Sequence, residues 1–511
     1  MKKIAIKGCF LAVIMPFCAM AQLDPMTIQK IRTEGLAQSQ VMDIAFNLTD
    51  KSGNRLANSE GYTRAANYAK EVLTKNGAEN AVIAPWGEFG KGWDLEKMYF
   101  AITAPYYKPL LAWPKAWTAG TNGLKNATLI LVDAKDSISL QAYRGQLKGK
   151  LIILDQDNTY KQSFKADAVR HSDEALAAMA AAAPVLTKTP DTAQERRMRE
   201  MQAQRMGPMR VLNLLKAMAI EEGAVAMLTT STRNHDGTIF AQGGGTYKGS
   251  DEPNFLDMAM SVEDYNTIVR LIKSGTAVKA ELDVKTKFHT KDLQGYNVFA
   301  EIKGTDPLLK DEVVMIGAHL DSWQSGTGAT DNASGSAVMI EAMRIIKAVG
   351  VNPKRTIRIG LWSAEEEGLL GSRAYVKKTF MDANNQPNAA HEKFSTYFNI
   401  DNGTGKIRGI YAQGNTAAAE IFKTWLTPFH DLGAKTVTLN NTGSTDHIAF
   451  DAIGLPGFQF IQDPIEYSTR THHSNMDVYD HLMQDDLKQI ATIVAAFALN
   501  AAQQTSLMPR K

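Results

Sequence analysis

The stretch GAHLDSWQSGTGATDNASG, Gly317 to Gly335, sets His319, Asp321 and Asp331 among glycines and small residues, directly after the apolar run VVMI. Three places downstream repeat the pattern. Glu365, Glu366 and Glu367 follow TIRIGLWSA, Asp401 follows TYFNI, and His472 and His473 follow GFQFIQD by a loop. Each residue alone has an ordinary explanation. A histidine after a strand is commonly a hydrogen-bonded structural group, an aspartate before a helix an N-cap, and a run of glutamates a solvated helix start favoured by the helix dipole. Together they supply two histidines and three carboxylates at one sheet edge, with no cysteine. That donor set suits two divalent cations, each with nitrogen and oxygen ligands. Cations about 3.5–4 Å apart need one carboxylate to bridge them. Each then takes one histidine and one further carboxylate, and the pair shares a water. An acid left off the metals must accept that water's proton, and adjacent glutamates can divide ligation from base catalysis.

The elements that must carry these residues follow from the apolar pattern. NVFAEI, EVVMIGAH, TIRIGLWSAEE, TYFNID and GFQFIQD are apolar runs of strand length. SGSAVMIEAMRIIKAV and AAAEIFKTWLTPF between them have helical spacing. Strands alternating with helices predict an α/β domain with a mostly parallel, mixed sheet flanked by helices, and such sheets bind ligands beyond the carboxyl ends of their strands. This main part runs from 291 to 511. Residues 22–97, largely helical in pattern, form its N-terminal part, with EGYTRAANYAKEVLTKNGAEN as one helix. Residues 98–290 change character: ATLILVD, GKLIILD, EEGAVAMLTTS and FLDMAMSVEDYNTIVRLI predict a β-rich inserted domain. Within it, about 173–207 is an Ala/Met/Arg-rich helical excursion, a solvated surface helix by pattern or else a lid.

The quoted motifs, in this order and approximate spacing, resemble peptidase family M28, the co-catalytic dizinc exopeptidases. HLDS at His319, GATDNASG at Asp331, AEEEGLLGS at Glu365, NIDNG at Asp401 and HSNMD at His473 carry the likeness over about 295–483, and LTDKSGNRLANSEGY extends it toward the N-terminus. The pattern also resembles the secreted members of the plasma glutamate carboxypeptidase type. The resemblance implies a zinc-exopeptidase-like fold and two Zn2+, with Mn2+ or Co2+ able to use the same ligands. Asp331 would bridge the metals, His319 and Asp401 would complete one site, and Glu366 and His473 the other. Glu365 would be the general base. Asp321 would hold the second ring nitrogen of His319, and Asp477 would do the same for His473. Asp446 and His447, in GSTDHIAF, match a family stretch near the substrate, and Tyr467 is a candidate donor to the tetrahedral intermediate. LKGKLIILD and EEGAVAMLTTS resemble a protease-associated domain roofing the active site.

The implied activity is hydrolysis of peptide bonds at a chain end, an aminopeptidase first, with a carboxypeptidase or dipeptidase as the alternative. A non-catalytic binding protein on the same scaffold would be expected to have lost ligands, and none is missing here. The substrate would be a peptide or dipeptide.

The bulk composition agrees. At 511 residues, two or three domains are expected. With 44% hydrophobic and 22% charged residues the chain reads as globular rather than disordered. A net charge of +2 gives no reason to expect nucleic acid or an anionic membrane as partner. MKKIAIKGCFLAVIMPFCAMAQ reads as a secretory signal, residues 1–21, cleaved after Ala21. Losing Lys2, Lys3 and Lys7 takes the charge from +2 to −1, and Cys9 and Cys18 leave with them. The mature chain is therefore expected in a periplasm or outside the cell, without thiol chemistry. No later segment has the ~20 uninterrupted apolar residues of a membrane span.

Overall fold

Alternation along the strand Val313–His319 sets the architecture. Val314, Ile316 and Ala318 enter one hydrophobic core and Met315 enters another on the opposite face, as expected of a strand covered on both sides. In this computed structural model, which describes residues 22–156, 158–183 and 209–511, the strand lies inside an eight-stranded sheet. The order is Glu79–Glu88, Gln294–Ile302, Thr356–Trp362, Val313–His319, Phe394–Asn399, Gly457–Gln462, Ile407–Tyr411, Thr436–Thr438. The four strands from Thr356–Trp362 to Gly457–Gln462 run parallel, and the outer strands make the sheet mixed. The fold is the expected α/β sheet flanked by helices.

Register brings the chemistry to one level. His319 lies opposite Trp362, and Gly317 opposite Asn399. Asp401, two residues past Asn399, therefore emerges beside His319. The close approach at Gly317 admits no side chain, since a Cβ there would sit 2.4 Å from the Gly360 carbonyl oxygen and 2.8 Å from the Tyr397 hydroxyl. Helices Ser334–Val349 and Gln484–Gln503 cover one face of the sheet. Leu370–Phe380 and His447–Asp451 contribute to the core on the other.

A second eight-stranded mixed sheet takes all its strands from residues 92–289 and has its own cores. The chain enters it along Gly92–Ala104 and leaves along the antiparallel neighbour Lys279–His289, which is the geometry of an insertion. Two details differ from the sequence pattern. Residues up to 97 are helical only as far as Lys75, because ENAVIAPWGE pairs as an edge strand with Gln294–Ile302. The second sheet begins at Gly92 rather than near 98. Of the Ala/Met/Arg-rich segment, Asp173–Ala180 is a helix that packs on the edge strand Thr436–Thr438, where the Thr438 hydroxyl donates to the Met179 carbonyl at 2.6 Å. Residues 184–208 and the signal segment 1–21 lie outside the described residues. Among the described residues no helix is long and apolar enough to cross a membrane.

Candidate metal centre

Asp331 is the centre of the site. Its Oδ1 lies 3.2 Å from His319 Nε2, and its Oδ2 lies 3.2 Å from His473 Nε2. Each imidazole faces one further carboxylate through the same nitrogen: Asp401 Oδ1 at 3.3 Å from His319 and Glu366 Oε2 at 2.8 Å from His473. The structure thus gathers His319, Asp331, Glu366, Asp401 and His473 into one place. His472 stacks on His473 with ring centroids 3.6 Å apart, but its Nε2 is 3.8 Å from Asp331.

Backbone features hold this arrangement. Arg55, fully buried, donates from Nε to the Leu320 carbonyl at 2.6 Å, from Nη2 to Gly328 at 2.8 Å, and from Nη1 to Leu48 at 3.0 Å and to Thr327. One guanidinium therefore ties the loop after His319 to the loop before Asp331. Burial brings its pKa down to about 10, against the opposing pull of Asp477 and Asp321. Asn332 Nδ2 donates to the Ile400 carbonyl at 2.8 Å and fixes the Asp331 loop against the Asp401 loop. Asp331 is no N-cap: helix Ser334–Val349 begins three residues later, with Ala333 at its cap. Glu365 and Glu366 do not start a solvated helix either. They are held in a buried turn whose preceding residue, Ala364, has φ +54°, and such left-handed non-glycine residues cluster at functional sites.

Asp321 sits under that turn, and its carboxylate accepts the backbone N–H groups of Glu365 at 3.3 Å and Glu366 at 3.2 Å. It approaches His319 Nδ1 chiefly through its backbone carbonyl, at 3.0 Å, with the carboxylate at 3.7 Å. A carbonyl only accepts, so Nδ1 carries the proton and Nε2 is left facing Asp331 and Asp401. Asp477 does not contact His473. It accepts the backbone N–H groups of Thr330 at 2.6 Å and Asp331 at 3.1 Å. His447 is bonded to Gln413 at 2.6 Å and to the Thr442 carbonyl at 3.2 Å, whereas Asp446 is fully buried with neither oxygen in a hydrogen bond of good geometry. Tyr467 packs at a tilt against His472, with ring centroids 4.8 Å apart. Sequence reasoning missed Arg55, although LTDKSGNRLANSEGY contains it, and Gln242, whose side-chain amide lies 3.0 Å from His473 Nδ1.

The electrostatics of the cluster point to the kind of group it suits. Burial raises Glu365 well above the usual carboxylate range, with Asp401 and Asp446 adding to it. Burial and Asp331 raise Glu366 to about 7, and Asp446 and Asp477 reach about 7 for the same first reason. Burial disfavours charge on His319 and His473, yet Asp401 and Glu365 raise the first well above its usual value, and Glu366 and Asp331 raise the second to about 10. Carboxylates crowded out of water are costly without compensating cations. Asp331 Oδ2 and Glu366 Oε1 are buried without a hydrogen bond. Hydrogen bonds are not what these oxygens are placed for, and the donor chemistry fits divalent metal.

Comparison with known proteins agrees with this geometry. Residues 297–498 match the model of Peptidase family M28. The chain is 29% identical over 293 residues to carboxypeptidase Q of Mus musculus, which is 57% of this chain and 59% of that protein. The match to this first relative thus spans less than two thirds of its length. Aminopeptidase YwaD of Bacillus subtilis is 27% identical over 243 residues, 45% of this chain and 50% of that one. Among solved structures, a peptidase M28 precursor from Shewanella amazonensis superposes with a TM-score of 0.65 at 26% identity, covering 95% of this chain and 98% of its own. A zinc aminopeptidase from Bacillus subtilis, at 18% identity and TM-score 0.54 over 91% and 95% of the two chains, shares the fold. The chain is thus similar to peptidase family M28 over residues 297–498, and to a solved M28 precursor over nearly its whole length.

Proposed function

We propose that this chain is a zinc-dependent exopeptidase. The observation that carries the reading is one carboxylate, Asp331, with an imidazole nitrogen against each of its oxygens and a further carboxylate against each imidazole. In this reading Asp331 is shared between two zinc ions, His319 and Asp401 hold the first, and Glu366 and His473 hold the second. When bound, such ions would polarise a scissile carbonyl and make a water acidic enough to react near neutral pH. Glu365 then takes that water's proton. It would later hand that proton to the leaving amine. Asp321 keeps Glu365 and Glu366 pointing to different tasks by fixing both backbone N–H groups. Tyr467 donates to the oxyanion.

For the anchored end of the substrate, charges around the centre support two readings. Asp401 and Asp446 both crowd Glu365, and an acidic site of this kind suits a free α-ammonium, which favours an aminopeptidase. A specific observation favours a second reading. Arg233, exposed on the inserted domain, meets the His472 carbonyl at 3.3 Å and stacks over Phe240 at 4.2 Å, and among the described residues no carboxylate pairs with it. A terminal carboxylate would suit it, as in a carboxypeptidase or dipeptidase. The 1–21 segment is read as a signal for export, and the domain on the second sheet as a protease-associated roof that narrows entry.

The test pairs elemental analysis with a small substrate panel. Hydrolysis of aminoacyl-anilides with N-blocked dipeptides untouched assigns the amino end, and the reverse assigns the carboxyl end. Full activity in protein stripped of metal overturns the reading.

A further inference from the structure

We infer that Gln242, from the inserted domain, is the positioning residue of His473, so that the insert supplies part of the metal centre as well as its roof. This rests on the reading of His473 as a metal ligand. Residues 239–242 run alongside 473–475 as a short strand-like clasp. Asn475 N–H donates to the Ile239 carbonyl at 3.1 Å, Ala241 N–H donates to the His473 carbonyl at 3.3 Å, and the Asn475 side chain accepts from Ile239 N–H at 2.6 Å. Phe240 bridges Ser474 in antiparallel register. The clasp grips His473 where its backbone is in the left-handed region, at φ +59°. It also fixes the ring. Phe240 lies 5.7 Å and Trp323 6.2 Å from the imidazole centroid, and the Gln242 amide is placed with its Nε2 3.0 Å from Nδ1.

The tautomer follows from geometry. Nε2 faces Asp331 and Glu366, so in the loaded state Nε2 offers its lone pair and Nδ1 must carry the proton. Nδ1–H is then a donor and needs an acceptor. A glutamine amide turned about its last bond presents Oε1 or Nε2 to the same spot, and in the loaded state Oε1 faces the ring. The Gln242 backbone is fixed for this task, since its carbonyl accepts from Ala116 N–H at 3.1 Å and from Gln324 Nε2 at 3.4 Å. His319 meets the same requirement within the catalytic domain through the Asp321 carbonyl. The two histidines are thus oriented by acceptors from different domains.

Outer partners of this kind typically contribute 10–100-fold in metal affinity. Zinc dissociation constants, measured by chelator competition on the full chain, test the inference. Gln242→Leu and the unbranched Gln242→Met remove the acceptor, and Gln242→Glu keeps one. The expected result is that Leu and Met each weaken one of the two zinc sites by about 10–100-fold, that Glu stays close to wild type, and that the melting temperatures of the metal-free proteins coincide. Should Leu fold poorly, Met against Glu decides by the same criterion. Wild-type zinc affinity in Met or Leu overturns the inference, as does equal weakening in Glu. His473→Ala separates the two claims. If it retains both zinc ions, the ligand reading has failed. If it loses one while Gln242→Met retains both at wild-type affinity, only the role of Gln242 has failed.

Discussion

Single residues divide here into those that hold charge and those that move a proton, and the two kinds predict opposite phenotypes. Asp331 touches both histidines, so Asp331→Ala removes the shared donor. The variant should bind less than one metal equivalent by elemental analysis, and retention of two would refute the shared role. In the proposed centre Glu365 stands off the metals. Glu365→Gln keeps size and burial but cannot accept a proton, so turnover should fall by about 10²–10⁴ while metal content stays at the wild-type level. Near wild-type turnover would remove Glu365 from the base position. The ligand candidates were legible in the sequence because each follows an apolar strand within a short recognisable motif. Arg55 and Gln242 were not. Their work is to meet carbonyls and a ring from distant segments, and nothing in local spacing announces a partner 231 or 272 positions away. Asp477 shows the same limit from the other side: its position near His473 in sequence suggested a bond to the ring, and folding gave its carboxylate to the backbone of the Asp331 loop instead.

At the scale of elements, the site depends on strands ending at one level and on the helices that hold them there. Helix Gln484–Gln503 inserts Phe497 among Phe398, Phe422, Trp425 and Phe460, with centroids 5.2–5.7 Å away. Phe398 belongs to the strand that leads to Asp401. Phe497→Ala should therefore cost about 3–5 kcal/mol, the usual toll for deleting a buried aromatic ring. Denaturant unfolding would show this as a lower midpoint at unchanged slope. A loss under about 1 kcal/mol would mean the neighbouring rings collapse into the space. The central strands could be read because burial on both faces makes them continuously apolar. The strand Glu79–Glu88 could not, because it is a half-exposed edge whose apolar stretch AVIAPW does not alternate and is broken by Pro85 and Gly87. Thr436–Thr438 is three residues long, too short for any period to register.

The whole molecule brings two sheets together over one charge cluster, and metal should act as a fastener between them. The clasp of 239–242 on 473–475 and the ion pairs of Arg170 with Asp463 at 2.8 Å and Asp486 at 2.7 Å join the domains on either side of the centre. Without cations the carboxylates at the centre repel one another, offset by protons, by His319 and His473 and by the field of the buried Arg55. A ligand that binds the folded state alone stabilises it by about 4.1 kcal/mol at a thousand times its dissociation constant. For a unit of 150–250 residues each kcal/mol moves the melting temperature by about 2–4 °C, so chelation should lower it by about 8 °C or more in the catalytic part. The loss should also be local. Amide hydrogen exchange should quicken first in 319–331 and 471–477 and in the clasp 237–242, where the backbone is ordered by groups that face the metal, while Ile490–Leu499, buried in the helical core, stays protected until global unfolding. Coincident melting curves with and without chelator, together with unchanged exchange in the clasp, would show that the two sheets are joined by their protein contacts alone and that the metals, if bound, fasten nothing.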